Sequence, residues 1–154
     1  MPTLLKQKSW SFLFAIVFVF SNVFAAQAAD EQEIPDVVLS GLRTYRSETP
    51  NAAFKVWLVG SPMENEGSLM VQGADMFQKT EAHYGKYREF QLIKTVNLTP
   101  TSKIIYLQMN FEKGPLFAKF LCYRTDLKWI IAMFDFHTKA EIILPPGLLD
   151  GSVR

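Results

Sequence analysis

One cysteine, Cys122, stands among 154 residues. That excludes a disulfide-stapled scaffold, which needs cysteines in pairs. Neither sign of charge dominates: 16 Lys+Arg against 15 Asp+Glu leave +1. With no basic block, the electrostatic footprint of a polybasic nucleic-acid binder is missing, and no nucleic-acid partner is expected. Low hydrophobicity is missing as well. The chain is 49% hydrophobic and 20% charged, which excludes intrinsic disorder as its main state. No glycine-rich phosphate loop, nucleophile elbow, internal repeat or low-complexity stretch occurs. The two histidines, His83 and His137, are far apart, and no ligand pair has zinc or haem spacing. Neither a cofactor nor a metal is expected. The length is that of one domain, at roughly 150 residues each.

What is present begins with an address. Lys6 and Lys8 precede a strongly apolar run from Trp10 through Phe24, and Ala26-Gln27-Ala28 follows with the small-x-small form that signal peptidase accepts. This is the layout of a cleaved secretory signal over residues 1–28. The apolar run is short for a span of about 20 residues, and no cysteine at the cleavage site offers a lipid anchor. A secreted or periplasmic protein with no membrane attachment after cleavage is expected. Removing Lys6 and Lys8 turns the formal charge slightly negative, which gives little steering toward anionic lipid.

Residues 29–146 then read as one domain and 147–154 as a flexible tail. Ile34, Val38, Leu42 and Tyr45 recur at helical spacing, predicting a helix to about Ser47. Thr49-Pro50 has the form of an N-cap followed by a proline at the first helical position. Phe54, Trp57 and Leu58 stripe that second helix, and Gly60 stops it. A third helix is predicted from about Asn65 to Tyr84, with Leu69, Gly73, Met76, Phe77, Thr80 and Tyr84 near one face and Gly85 at its end. Gly73 on that face permits close packing.

The period then changes from 3.6 to 2. Phe90, Leu92, Val96 and Leu98 alternate with polar residues, interrupted by Lys94. Ile105, Leu107, Met109 and Phe111 alternate after the Thr99–Ser102 turn. Leu116–Tyr123 follows Lys113-Gly114-Pro115, and Trp129–His137 follows a polar turn, Arg124–Lys128. The last run is apolar on both faces, the mark of a central or doubly covered strand. Short turns favour an antiparallel meander. The fold class is therefore α+β, with N-terminal helices packed on a curved, mainly antiparallel four-stranded sheet.

Three stretches carry a resemblance: His83–Leu92, where a helix ends and the first strand starts; Glu112–Phe120, where a hairpin opens the third strand; and Lys128–Phe136, similar to a Gly-x-Trp-x-hydrophobic final strand. With the order of elements, they make the chain resemble a small secreted member of the nuclear-transport-factor-two-like superfamily, the cystatin-like α+β roll, over about Ile34–Pro145. Leu127-Lys128 replaces the usual glycine turn before Trp129. The resemblance implies a cone-like roll with a pocket between the concave sheet face and the helices. It does not select an activity, since the superfamily spans isomerases, dehydratases, hydrolases, transport adaptors and secreted proteins of no known role.

Three functions are carried forward. The preferred one is a non-enzymatic binding or interaction module whose roll pocket, lined by Trp57, Phe77, Tyr106 and Phe120, takes a small apolar ligand. The second is a pocket enzyme of isomerase, dehydratase or hydrolase type. Asp135 and His137 are two apart on one strand and point the same way, and a carboxylate amid Met133, Phe134 and Phe136 could act as a base. The plainer account puts both at an open strand end, solvated or salt-bridged. The third is a homodimer through the sheet with no ligand. Cys122, on an apolar strand, reads as core; an exposed Cys122 would instead cross-link two chains. His83 suits a helix C-terminus. Asn97-Leu98-Thr99 is a glycosylation sequon in form. Lys86, Tyr87 and Arg88 read as a solvated strand edge.

Overall fold

A computed structural model gives the protein's structure for residues 33–151; residues 1–28, expected from the sequence to be a cleaved signal, lie outside the described residues. Helix α1 (Asp36–Ser47) starts two residues later than its apolar stripe, after Pro35, whose carbonyl accepts from the Val38 amide at 2.9 Å. Asp36 in its first turn and Arg46 in its last complement the helix dipole. Helix α2 (Pro50–Leu58) is capped by Thr49, whose Oγ1 accepts from the Ala52 amide at 3.2 Å. Helix α3 spans Gly67–Tyr84. Gly60 and Gly85 hold φ of 74° and 81°, the left-handed values that stop α2 and α3.

The helices close on the short α2. Its Phe54 and Trp57 are fully buried. Phe54 lies against Gly73 of α3, and the Trp57 indole lies across Gly41 of α1; a Cβ at either glycine would overlap the ring. The Trp57 Nε1–H donates to the Val38 carbonyl at 3.2 Å. Tyr45 ties α1 to α3 and the sheet: its hydroxyl donates to Glu81 at 3.2 Å, and its ring stacks on Tyr87 at 4.8 Å. Burial, then the Glu81 charge, pushes its pKa up.

Strands β1 (Tyr87–Thr99), β2 (Ser102–Phe111), β3 (Pro115–Arg124) and β4 (Trp129–His137) form one antiparallel sheet in the order β1-β2-β3-β4. The central β2–β3 register runs without interruption from Ser102↔Tyr123 to Asn110↔Pro115. Every irregularity lies on an edge strand. In β1 the register skips between Leu92 and Lys94, and in β4 it skips between Ile131 and Met133. Ile93 and Ala132 are the extra residues there, β1 has two further shifts near its ends, at Arg88 and Leu98, and such bulges bend an edge strand and raise its twist.

The strand order and these bulges refine two expectations. β4 is an edge strand rather than a central one, and it is doubly covered, by α1 and α2 on one side and by residues 140–143 on the other. Ala132 breaks its alternation, so Ile131 and Phe134 both reach the helix-facing side, opposite Cys122 and Phe120. In β1, Phe90 and Leu92 do not share a face with Val96. Ile93 inverts the phase, so Thr95 lies opposite Ile105 on the helix side and Val96 lies opposite Ile104 on the outer side. Leu98 is 53% exposed.

The main core fills the helix-facing side with Ile105, Leu107, Met109, Leu116, Ala118 and Phe120, among others. The chain then returns over the outer side through two helical turns, α4 (Ala140–Ile143) and α5 (Pro146–Leu149). Ile143 and Leu144 bury against Tyr106, with Phe117, Val96 and Leu148 packed around them. Residues 147–149, read from the sequence as tail, thus belong to a helical turn. Gly73→Ala tests the α2 clasp. Alanine favours a helix by about 1 kcal/mol, but overpacking Phe54 costs about 1–3 kcal/mol. A net loss of stability in urea denaturation is expected, against none for Gly67→Ala, which meets nothing within 4 Å.

Candidate functional site

Three of the four sequence-named pocket residues come together. Trp57, Phe77 and Phe120 are fully buried, with ring centroids 5.4 Å (Trp57–Phe120) and 6.1 Å (Trp57–Phe77) apart. Phe136 joins them, 4.9 Å from Phe77 and 5.4 Å from Phe120. These separations are direct aromatic contacts, so rings occupy the space between helices and sheet at this point. Tyr106 is not with them. It lies on the outer face, buried under α4. Strand parity pairs Tyr106 with Phe120 only if the two sit on one face, and the register sets Phe120 opposite Ile105 instead.

Asp135 and His137 do share one side of β4, the outer one, opposite Lys119 and Phe117. Asp135 pairs with Lys119 at 2.7 Å while its side chain stays 47% exposed. His137 Nδ1 accepts from the Lys139 amide at 2.9 Å. Each polar group thus has a partner, Asp135 on the neighbouring strand and His137 in the segment that follows β4. His83 sits in the last turn of α3, edge-on to Tyr84 at 4.7 Å. Lys86 and Arg88 at the start of β1 hold Glu81 and Glu112. Among the described residues no group of three His, Cys, Asp or Glu side chains is placed to hold a metal ion, and no helix is long and apolar enough to cross a membrane.

The concave features that face solvent include two recesses on either side of one ridge, the β3–β4 turn. The turn is stapled by Thr125. Its amide and hydroxyl both donate to the Lys128 carbonyl at 2.9 Å, and its Oγ1 accepts from the Leu127 and Lys128 amides. The Arg124 amide anchors the turn's base to the Thr101 carbonyl at 2.8 Å. A fixed turn of this kind holds Leu127 in solvent at 93% exposure. On the helix side, Leu127, Lys128 and Trp129 face Asp36, Val37 and Ser40 of α1 and Val56 and Val59 at the end of α2, around a recess of about 490 Å³. On the other side the same three residues, with Thr101, Arg124, Thr125 and Asp126, line a second recess of about 490 Å³.

Trp129 is the shared wall. Lys103 Nζ lies 4.9 Å and Arg124 Cζ 5.7 Å from its ring centroid, within cation–π reach. Sequence reasoning used Trp129 only as a mark of fold and passed over Leu127 and Lys128 as an odd turn. The available signal was an isolated leucine in an otherwise polar turn, beside a tryptophan. The grouping of Lys103 with Arg124 had no local signal, because only the pairing of β2 with β3 creates it.

Cys122 is fully buried, so the sequence alternative of an exposed cross-linking thiol does not arise in the folded chain. Burial pushes its thiol up to about 12, and Lys103 pulls weakly the other way.

Comparison with protein-family models, with curated proteins and with solved structures finds no match for the chain.

Two expectations follow from these placements. Asp135→Asn should cost less than about 1 kcal/mol, because a half-exposed ion pair is worth little; chemical denaturation reads it. A thiol reagent at pH 8 should modify Cys122 only after unfolding. Because the folded thiol titrates above the unfolded one, its contribution to stability is intact below pH 9.0 and is lost as the pH rises toward 12. Cys122→Ala should therefore lose less stability than the parent across that range.

Proposed function

We propose that the protein is a non-enzymatic binding module of the nuclear-transport-factor-two-like kind, exported under the direction of residues 1–28. In this reading it holds a small ligand with an apolar body in the recess between α1, α2 and the β3–β4 turn. The observation that carries this is the contrast between two spaces. Trp57, Phe77 and Phe120 fill the interior with one another, whereas Val37, Val56, Val59, Leu127 and Trp129 line an open recess.

The dimensions support it. A volume of about 490 Å³ lies within the range of about 300–1,000 Å³ usual for small-molecule sites. The wall is mainly apolar, with Ser40, Asp36 and Lys128 as its polar groups, the mixture that gives a ligand both burial and orientation. Rigidity supports it too. Helix ends and a stapled turn bring the lining residues with little ordering left to be done on binding.

The test is a titration with octanol followed through the indole Nε1–H signals by NMR. The Trp129 signal, assigned through Trp129→Phe, is expected to move while that of Trp57 stays. Movement of Trp57 instead would return the ligand to the interior, and no movement would remove the binding reading. Native mass spectrometry of the same sample weighs the rival, a homodimer through the sheet, for which half-exposed Tyr123 and Met133 on the outer face are the supporting feature. A dimer mass with no octanol response would favour that rival.

A further inference from the structure

Leu127 is the most exposed of the large apolar side chains among the described residues, at 93%, with Val71 next at 64%. Its backbone is nevertheless fixed by the Thr125 staple. The side chain of Lys128 lies against Gly60, past the end of α2, and Leu127 is left standing clear. Beside it the recess is walled by Val37, Val56, Val59 and Trp129, and Val59 is itself 46% exposed. A fixed apolar knob thus stands on the rim of an apolar hollow. Single exposed leucines are ordinary. A knob and a hollow side by side are a different matter, because a half-turn about an axis between them puts each knob into the other copy's hollow. That is the requirement of an isologous contact, in which one patch fits itself. Charge permits the same contact. A patch of one sign repels its own copy, but here Arg124 and Lys128 are offset by Asp36 and Asp126, and neither sign is in excess.

We propose that this end of the protein binds a second copy of the chain, with each Leu127 entering the other's recess between α1, α2 and the β3–β4 turn. The apolar centre, Leu127 against the valines and Trp129, is then ringed by the four charged groups, the usual arrangement of a buried core within a polar rim. The contact lies at the β3–β4 turn and leaves the outer face of the sheet free. It fills the recess assigned above to a small ligand, so the second copy and the ligand exclude one another, and ligand binding releases monomers. The contact itself does not depend on there being a ligand. Thr125 has the positioning part. A knob whose backbone is already held needs little further ordering when it is buried.

The experiment is sedimentation of the purified protein over a range of concentrations, with three variants. The parent is expected to pass from monomer to dimer as its concentration rises. Leu127→Asp removes the knob at a position exposed enough to spare the fold, and Val59→Lys blocks the recess. Each is expected to weaken the dimer at least about thirtyfold, the effect of losing a hot-spot residue, with an unchanged urea midpoint at dilution. An equimolar mixture of the two should dimerise again, because one contact is then intact and the other sets the new carboxylate against the new ammonium. Met133→Asp, on the outer face, should leave the dimer unchanged, and octanol should dissociate the parent. A parent that stays monomeric at every concentration, a mixture that stays monomeric, or a dimer lost with Met133→Asp and kept with Leu127→Asp would overturn the proposal. Octanol binding at Trp129 that leaves the dimer intact would overturn it too, and the ligand reading would stand. A dimer that needs Leu127 but shows no octanol response would uphold the proposal and remove the ligand.

Discussion

The structure hangs on a nine-residue helix clasped by two glycines. Helix α2 presents Phe54 and Trp57 in successive turns, and each ring needs a neighbour with no side chain. Gly73 of α3 receives the first and Gly41 of α1 receives the second. A methyl group at either site would force helices apart in an interior that packs as densely as a crystal. With the clasp closed, Trp57 can donate to Val38 and touch Phe120 and Phe136 of the sheet. The same closeness fills the interior and leaves any open space to the rim.

The sheet contributes the other constraint. Its two central strands are regular, and both edge strands are bulged. An edge strand with a regular ladder is a template for unwanted pairing, and a bulge is one way to spoil it. Here the bulges also redirect side chains. Ile93 sends Val96 outward, where α4 and α5 need an apolar surface to cover, and it turns Thr95 inward, where its hydroxyl is buried with no hydrogen-bond partner among the described residues. Ala132 lets β4 set Ile131 and Trp129 toward the helices at one end and Phe134 and Phe136 at the other. Trp129 therefore stands at the rim of the core, with one part packed and one part available.

The rim recesses depend on that placement together with the Thr125 staple. A loose turn would let Leu127 fold onto the nearest apolar surface. The staple keeps it in solvent as a wall between two recesses of different character, one walled by helix ends and valines, the other by threonines and charged groups. Residues from α1, α2, β2 and the β3–β4 turn thus meet at one indole, although the sequence spreads them from Asp36 to Trp129.

Local pattern was enough for the main elements. Helical spacing, Thr49-Pro50, Gly60, Gly85 and the three polar turns marked α1 to α3 and the four strands, because these signals act within a few residues of where they are read; the single-turn α4 and α5 carry too few residues for a period and went unmarked. Periodicity also put Phe54, Trp57 and Phe77 on the apolar faces of their helices, but that Trp57 and Phe77 pack solid instead of lining a pocket was not legible there. The inversion of phase at Ile93 and Ala132, the edge position of β4 and the separation of Tyr106 from Phe120 were decided only by strand pairing. A bulge is a choice between two registers, and its energy lies in contacts with a partner strand that the local sequence does not contain. The Trp129 site belongs to the same class. Lys103 and Arg124 share a ring because β2 pairs with β3 and β3 with β4, and long-range pairing of that kind exists only once the chain has closed on α2.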